Sequence, residues 1–396
     1  MAGPPHDNID TAESLMRIAV AKGSLLIPPT YFAVAHPLAL ADRFDFRFFA
    51  GASQVADAGI SDRLAIEDTV ARVLPGSGAL PVRRREQIGA LLTPMTARAI
   101  SRFKPDVIHQ HFAYGSTAAV SAARDLRIPL VLTVHGGDAF VPLTPLSARN
   151  LAGRPALLRM QREVGRAFQS ATLTLAVSAY LADVAASAGA SRLRVHYQGV
   201  DTELFRPDGG TVENELEILF VGRLTETKGV FDLLEASRYL LPGVAHRLTY
   251  IGDGPERARL AAAADVHPHI RVLGAQSSDN VRAAMRRASL LVLPTRVNGR
   301  AREAAGLVLL EAQASGTPVV AYASGGTPEM MRAGDTGWLV AEGDVASLAH
   351  RIGSLLEMSS ADRADIAVRA RAFVVAERSL ARSAEELDSI YKELAR

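Results

Sequence analysis

Residues 217–231 read Glu217-Ile-Leu-Phe-Val-Gly-Arg-Leu-Thr-Glu-Thr-Lys-Gly-Val-Phe231. The aliphatic run Glu217–Val221 stops at a glycine, crosses a polar turn and enters the helical spacing of Phe231–Tyr239, which makes a strand, a turn and a helix in the order of a βα unit. The same alternation continues downstream, with strands expected at Leu248–Ile251, Ile270–Leu273, Leu290–Leu293 and Val319–Ala321. Helical spacing fits Glu256–Ala264, Asp279–Arg287, Leu307–Ala314 and Val345–Leu356 between and after them. Upstream, the strands are expected at Arg17–Ala21, Phe46–Phe49, Val107–Gln110, Leu130–Val134, Leu173–Val177 and Val195–Tyr197. Their helices are Glu86–Arg102, Ser116–Leu126, Pro155–Gln169 and Tyr180–Ala188. Alternation of this kind specifies a parallel sheet wrapped in helices, so the fold class is α/β, with two doubly wound domains facing a cleft. Periodicity lapses at Arg206-Pro-Asp-Gly-Gly-Thr211, which reads as the linker between domains at 16–206 and 212–375. Residues 1–15 are expected to be a disordered tail. A last helix near Leu380–Arg396, within 376–396, is placed to cross back to the first domain.

Composition narrows the class. The chain has 396 residues, enough for two or three domains, with 48% hydrophobic and 22% charged residues, the balance of an ordinary folded protein. A net charge of +2 gives no support to a nucleic-acid partner. Cysteine is absent, which removes disulfide frameworks, thiolate metal sites and a cysteine nucleophile, and fits a reducing cytosol. The N-terminal stretch has neither a basic nor an apolar signal region, and no 18 uncharged apolar residues run together, so a cytoplasmic location is expected. Only Lys22, Lys104, Lys228 and Lys392 among the 44 basic residues are lysine, which draws notice to each.

Open α/β sheets bind ligands at the carboxyl ends of their strands, so the strand-to-helix turns are where chemistry is sought. Arg223 and Lys228 stand just past a strand and at a helix start, an anion site suited to a diphosphate; an isolated pair of this kind reads equally well as a solvated basic turn. Glu303 and Glu311 flank Ala-Ala-Gly-Leu-Val-Leu-Leu, where the Gly306–Val308 backbone opens a helix whose free N–H groups suit phosphate or sugar oxygens. Glu311 is placed to take both hydroxyls of a ribose and Glu303 to reach a sugar hydroxyl, although carboxylates eight apart are common on solvated helices. Leu132-Thr-Val-His-Gly-Gly-Asp138 puts His135 at a strand end beside two glycines, as a donor to a sugar hydroxyl or as a core histidine. His109 and His111 have metal spacing but no third ligand, and no metal site is expected. Lys22-Gly23-Ser24 follows the first strand with one glycine for close ligand approach. Neither a dinucleotide fingerprint, nor a P-loop, nor a D-x-D triplet is present. Arg83-Arg84-Arg85 opens an amphipathic stretch that reads as a basic helix start or as an element resting on an anionic membrane.

Taken in order, these motifs resemble the family-4 retaining glycosyltransferases of the GT-B fold across roughly residues 17–375. The resemblance rests on Thr133-Val-His-Gly-Gly-Asp138, Ala176-Val-Ser178, His196-Tyr-Gln-Gly-Val-Asp201, Leu204-Phe-Arg-Pro207, Val221-Gly-Arg223 with Lys228-Gly229, Gly252-Asp-Gly-Pro255 and the E-x7-E element of Glu303 and Glu311. Asp106-Val-Ile-His-Gln-His-Phe112 and the His-Tyr-x-Gly-Val-Asp form are similar to the bacterial subgroup that builds exopolysaccharides of the colanic acid and amylovoran type. The resemblance implies transfer of a hexose or N-acetylhexosamine from a nucleoside diphosphate sugar, UDP-linked by preference, to an acceptor hydroxyl of a glycan, a lipid-linked sugar or a small molecule. It implies retention at the anomeric carbon, no cofactor and no obligatory metal. Arg223 and Lys228 match the diphosphate clamp, Glu311 the ribose ligand and Glu303 the residue facing the donor sugar. Gly306, Leu307 and Val308 match backbone contacts, His135 matches the histidine near the sugar 6-hydroxyl, and the base is expected near Arg271–Leu273. Gly23 is assigned to the donor side, where many family members carry paired glycines; Lys22, Ser24, His109 and Asp138 are assigned to the acceptor side.

A nucleotide-sugar 2-epimerase of the same fold, or a catalytically silent sugar-binding homologue, are the competing readings. An NAD-dependent oxidoreductase is disfavoured by the missing glycine fingerprint, and a phosphorylase by the lack of a lysine in a convincing setting for pyridoxal phosphate. Oligomeric state is left open.

Overall fold

Aliphatic segments with no solvent-facing side make two separate all-parallel sheets in the computed structural model, which describes residues 15–27, 31–56, 58–145, 154–208, 216–240, 242–297 and 302–396. The expected tail through residue 14, Pro28-Pro29 and the Gly209–Thr211 part of the expected linker lie outside the described residues. The first sheet holds β1 (Met16–Ile27), β2 (Phe44–Val55), β3 (Ile66–Asp68), β4 (Val107–His111), β5 (Leu130–Val134), β6 (Leu173–Ala176) and β7 (Leu193–Val195), in the order β3-β2-β1-β4-β5-β6-β7. The second holds β8 (Glu217–Val221), β9 (Arg247–Ile251), β10 (Ile270–Val272), β11 (Leu290–Leu293), β12 (Val319–Tyr322) and β13 (Gly337–Val340), in the order β10-β9-β8-β11-β12-β13. Every residue of β4, β5, β6, β11 and β12 is buried, as befits strands covered by helices on both faces.

The strand order reverses between β1 and β4, where Ala21 lies opposite Gln110, and between β8 and β11, where Leu219 lies opposite Leu291. Helices leave such a pair of strands on opposite faces, so their carboxyl ends open into a crevice. Each domain therefore offers one crevice, at the ends of β1 and β4 and of β8 and β11.

Some boundaries differ from the sequence expectation for identifiable reasons. The single helix expected over Glu86–Arg102 is two, Val82–Leu91 and Thr93–Phe103; Pro94 cannot sit in a helix interior and instead occupies the first turn of the second. Helices Phe32–Ala39 and Ser360–Glu377 and strands β3 and β13 were not anticipated. Between the two sheets, whose adjoining strands end at Val195 and begin at Glu217, the chain meets the returning C-terminal segment. Val200 N–H donates to the Arg378 carbonyl at 2.9 Å and Leu380 N–H to the Val200 carbonyl at 2.8 Å, so the outgoing and returning chains run side by side. Gly199, at φ +71°, permits this approach; a Cβ there would come 2.5 Å from the Ser379 carbonyl oxygen.

The final helix, Leu380–Leu394, lies against the first domain. Tyr391 is wholly buried edge-on to Phe44, its hydroxyl 2.6 Å from Nδ1 of His109, while Ser383 Oγ lies 2.7 Å from Nε2 of His36. Arg43 adds a two-pronged ion pair to Glu385. One apolar cluster joins Val134, Phe140 and Leu181 of the first domain to Leu219, Tyr322 and Met330 of the second, which holds the two crevices face to face.

Candidate active site

The second-domain wall is built by backbones that pack without side chains between them. Gly222 N–H donates to the Ile251 carbonyl at 3.0 Å, and a Cβ on Gly252, at φ +143°, would stand 1.8 Å from the Gly222 oxygen. That contact turns the chain after β8 so that Arg223 projects to solvent, with no ion pair among the described residues. A short 3₁₀ turn, Glu226–Lys228, ends at Gly229, whose φ of +68° and position 1.9 Å (from a Cβ) to the Pro294 oxygen leave no room for any other residue. The result brings Lys228 from the end of β8 to the end of β11.

There Lys228 Nζ donates to the Glu303 carboxylate, and Thr295 Oγ1 donates to the same oxygen, Oε2, at 2.9 Å. The Glu303 loop is clamped on two sides. Gly326 N–H donates to the Glu303 carbonyl at 2.9 Å, and Ser178 Oγ, from the first domain, donates to the Ala304 carbonyl at 2.6 Å. Gly306, at φ +82°, then starts the helix Leu307–Ala314, whose N-terminal end carries the helix's partial positive charge and has no side-chain cap. Glu311 lies one turn in. Its carboxylate has no hydrogen-bond partner among the described residues, and burial pushes it up to about 7 despite the pull of Arg282.

The first-domain wall faces this loop closely, since a Cβ on Gly136 would come 3.1 Å from Cβ of Ala304. His135 beside it is half-buried, its ring centroid 4.4 Å from Phe32 and 4.6 Å from Phe112. Both ring nitrogens are engaged: Nε2 is 3.0 Å from Nδ1 of His111, and Nδ1 is 3.2 Å from the Gln198 amide nitrogen. Burial, and then His109, Lys22 and His36, hold its pKa well below the ordinary histidine value, so the ring is neutral at pH 7. The free donor expected at His135 is thus already spoken for in the unliganded cleft.

The structure brings Arg223, Lys228, Glu303, Gly306, Leu307, Val308 and Glu311 to one crevice, with His135 across from them. It does not bring His109 or Asp138 there. His109 is 3% exposed and its nitrogens meet Tyr391 and Thr133, at 2.6 and 2.7 Å, so it is a core residue holding the last helix. Asp138 is fully buried, its carboxylate accepting from the N–H groups of Ala113, His135 and Gly136; it shapes the His135 turn and cannot touch an acceptor. Leu273 is exposed; its N–H donates to the Tyr250 carbonyl, while its carbonyl accepts from the exposed Gln276 side chain and keeps a second lone pair. Gly23 and Ser24 follow Lys22 on β1, where the Ser24 carbonyl accepts from Lys22 Nζ. Arg85 does not join Arg83 and Arg84 on an exposed basic face: it is 7% exposed and donates to Asp68 at 2.7 Å. Among the described residues no helix is long and apolar enough to cross a membrane.

Sequence reading gave no site role to Thr295, Ser178, Gln198 or Glu329, although Ser178 and Gln198 lie in motifs it picked out. Glu329 accepts from the N–H groups of Ala179 and Tyr180, at 2.7 and 2.9 Å, and from the Tyr197 hydroxyl at 2.9 Å, and so ties the second domain to a helix start in the first. Ser178 carried a signal, as a serine at a strand end before a helix is a capping position.

Two facing doubly wound sheets, with cations, carboxylates and a helix start gathered between them, define an α/β protein with a polar cleft between two domains. Residues 40–204 match the model for glycosyltransferase family 4 and residues 201–373 that for glycosyl transferases group 1. The chain belongs to this glycosyltransferase family. It is 30% identical over 300 residues, 72% of its length and 70% of the relative's, to the protein assigned to colanic acid biosynthesis as glycosyltransferase WcaL in Escherichia coli K12. It is 29% identical over 322 residues, 78% of its length and 75% of the relative's, to the amylovoran biosynthesis glycosyltransferase AmsK of Erwinia amylovora. Among solved structures, HepE of Anabaena in complex with UDP superposes with a TM-score of 0.72 at 20% identity, over 96% of this chain and 100% of that one. Sucrose-phosphate synthase of Thermosynechococcus elongatus does so with a TM-score of 0.75 at 18% identity, over 96% and 99%. The fold is GT-B.

Proposed function

We propose that this glycosyltransferase moves a hexosyl group from a UDP-sugar to a hydroxyl of a glycan-type acceptor, with retention at the anomeric carbon and without a required metal ion. The observation that carries the reading is the meeting of Lys228 with Glu303 beside Arg223 and the helix start at Gly306, all at the β8–β11 crevice. Two cations and the helix N-terminus supply the positive charge a departing diphosphate needs, on the wall opposite the facing domain. Glu311 is set back by one helical turn at the depth of a ribose, and an unpaired carboxylate there accepts both of its hydroxyls. The complex of HepE with UDP, a protein of the same fold, favours the uridine nucleotide.

The reaction on this reading needs no nucleophilic side chain. The acceptor oxygen bonds to the anomeric carbon as the bond from that carbon to the β-phosphate oxygen breaks, and the hydroxyl proton passes to the departing diphosphate. Lys228 turns from Glu303 to the departing phosphate as negative charge builds on it, freeing Glu303 for a hydroxyl of the sugar. His135, neutral, orients the sugar from the other wall once it exchanges one of its two partners.

Thermal-shift titration of the full chain with UDP, GDP, ADP and their sugars, without and with magnesium, tests the donor half. A nucleotide at 100 times its Kd stabilises by about 2.7 kcal/mol. A shift confined to the uridine series and indifferent to magnesium is expected. A guanosine preference or a strict magnesium requirement would overturn those parts of the reading, and UDP-sugar rearranged without any acceptor would point to an epimerase.

A further inference from the structure

The donor residues account for the second-domain wall of the cleft and leave a group of first-domain side chains without a task. β1 runs on past the end of β4: Ala21 is the last β1 residue paired to β4, while Ser24–Ile27 pair with β2 alone. The turn after β4 folds back onto this overhang. Gly23 and Gly115 meet backbone to backbone, a Cβ on Gly115, at φ +71°, lying 3.1 Å from the Gly23 Cα. Phe112, which starts the turn, is held at φ +65°, a left-handed conformation that is costly for a non-glycine residue and that concentrates at ligand sites.

That turn makes an aromatic ledge. Tyr114 stacks on Phe112 with centroids 5.0 Å apart at 26° and is 37% exposed; Phe32 meets Phe112 edge-on at 6.0 Å, and His135 adjoins at 4.6 Å. Lys22 Nζ lies 5.1 Å from the Phe112 centroid. Its one hydrogen bond goes to the Ser24 carbonyl, and among the described residues it makes no ion pair. An ammonium this enclosed without a carboxylate partner is costly, and packing alone does not call for it. Burial brings Lys22 down to about 8, with Glu86 pulling the other way, so it still carries its charge at pH 7.

We propose that Lys22, Phe112 and Tyr114 form the acceptor subsite, and that the acceptor is a glycoside bearing an acidic group, carboxylate or phosphate, beside the sugar ring that stacks on the aromatic pair. The face of a pyranose is an array of C–H groups and lies on an aromatic ring, while its edge hydroxyls stay free to react. The acidic group then supplies the counter-ion that Lys22 lacks, over a ring that already favours the cation. This inference rests on the glycosyltransferase reading above, and the two fail separately.

The test uses saturation-transfer NMR on the full chain loaded with UDP, with methyl α-glucoside, methyl α-glucuronide and glucose 1-phosphate as probes. At least tenfold tighter binding of one or both acidic probes over the neutral glucoside is expected, the better of the two naming the acid. Lys22→Met is expected to bring all three to parity and Lys22→Arg to keep most of the preference. Tyr114→Ala is expected to weaken the glucoside and the acidic probes by the same factor. Equal binding of neutral and acidic probes by the native chain overturns the inference, whatever the fate of the variants; so does a preference that survives in folded Lys22→Met. Failure of the chain to bind UDP at all would instead overturn the donor reading and this one with it.

Discussion

Glu311→Gln tests the electrostatics of the cleft and its donor role in one protein. Burial lifts the Glu311 carboxyl from an ordinary 4.5 to about 7, with Arg282 as the opposing influence. Between those two values the folded chain holds a proton that the unfolded chain has released, so stability falls as pH rises through the window. The penalty is absent well below pH 4.5 and complete above pH 7. A difference of roughly 2.5 pH units is worth about 3 kcal/mol, of which less than about 1 is in place at pH 5. Glutamine has nearly the same shape and no charge to bury, so Glu311→Gln should gain about 2 kcal/mol relative to the native chain between pH 5 and pH 8. Trp338 on β13 is the one tryptophan in the sequence, and its fluorescence reports unfolding of the second domain. Urea midpoints for both proteins at the two pH values give the comparison. The same variant should lose affinity for UDP by ten- to a hundredfold, the loss of a charge-assisted acceptor costing roughly 1.5–3 kcal/mol. Identical pH dependence in the two proteins would refute the raised acid. Unchanged UDP affinity would refute the ribose role.

Lys228→Met should lower the rate of UDP release from donor and acceptor by a hundredfold or more while far-UV circular dichroism stays native, and adding Glu303→Gln should cost little beyond the larger single effect because the two act as a pair. Near-native turnover in Lys228→Met would sink the clamp. Gly252→Ala places a methyl 1.8 Å from the Gly222 oxygen at φ +143°, and should cost about 1–3 kcal/mol in thermal unfolding while displacing Arg223. Tyr391→Phe takes away the hydroxyl 2.6 Å from His109 and leaves a buried ring nitrogen unpaired, for a loss of about 1–3 kcal/mol in stability with UDP affinity unaltered.

Strands and helices that are long, apolar and bounded by turn residues were legible in the sequence. Glu217–Val221, Leu290–Leu293, Leu307–Ala314 and Val345–Leu356 fall where periodicity puts them. Elements that depend on a neighbour were not. Ile66–Asp68 and Gly337–Val340 are short edge strands with one partner each, and Phe32–Ala39 is helical despite Pro37 because it packs against the last helix. At the site, Lys228 and Glu303 stood out because strand-end turns are where doubly wound sheets bind ligands. His109 misled for the opposite reason. Alternation along β4 places it with His111 on one face, but what covers that face at His109 is Tyr391, which is 282 residues away in sequence. Thr295 and Ser178 are ordinary polar residues until the fold sets the Glu303 loop against them.

The cleft's polar groups divide into two sets with different consequences for catalysis. Lys228 and Glu303 hold each other, and His135 holds His111 and Gln198, so a ligand that reaches them exchanges one partner for another and gains only the difference. Arg223 and Glu311 have no such partners among the described residues, so a ligand there displaces no protein group, and at Glu311 it also relieves the cost of burial. Affinity for the intact donor should therefore reside chiefly in Arg223 and Glu311. Lys228 differs because its gain grows only as negative charge builds on the departing diphosphate, when the phosphate outcompetes the Glu303 carboxylate. Its loss is expected in kcat and in the Kd for UDP, which carries the full charge of the departing diphosphate, with the Kd for the intact UDP-sugar little changed, whereas the loss of Glu311 is expected in the Kd of both. That contrast separates a cleft that performs transfer from one that merely holds a sugar nucleotide.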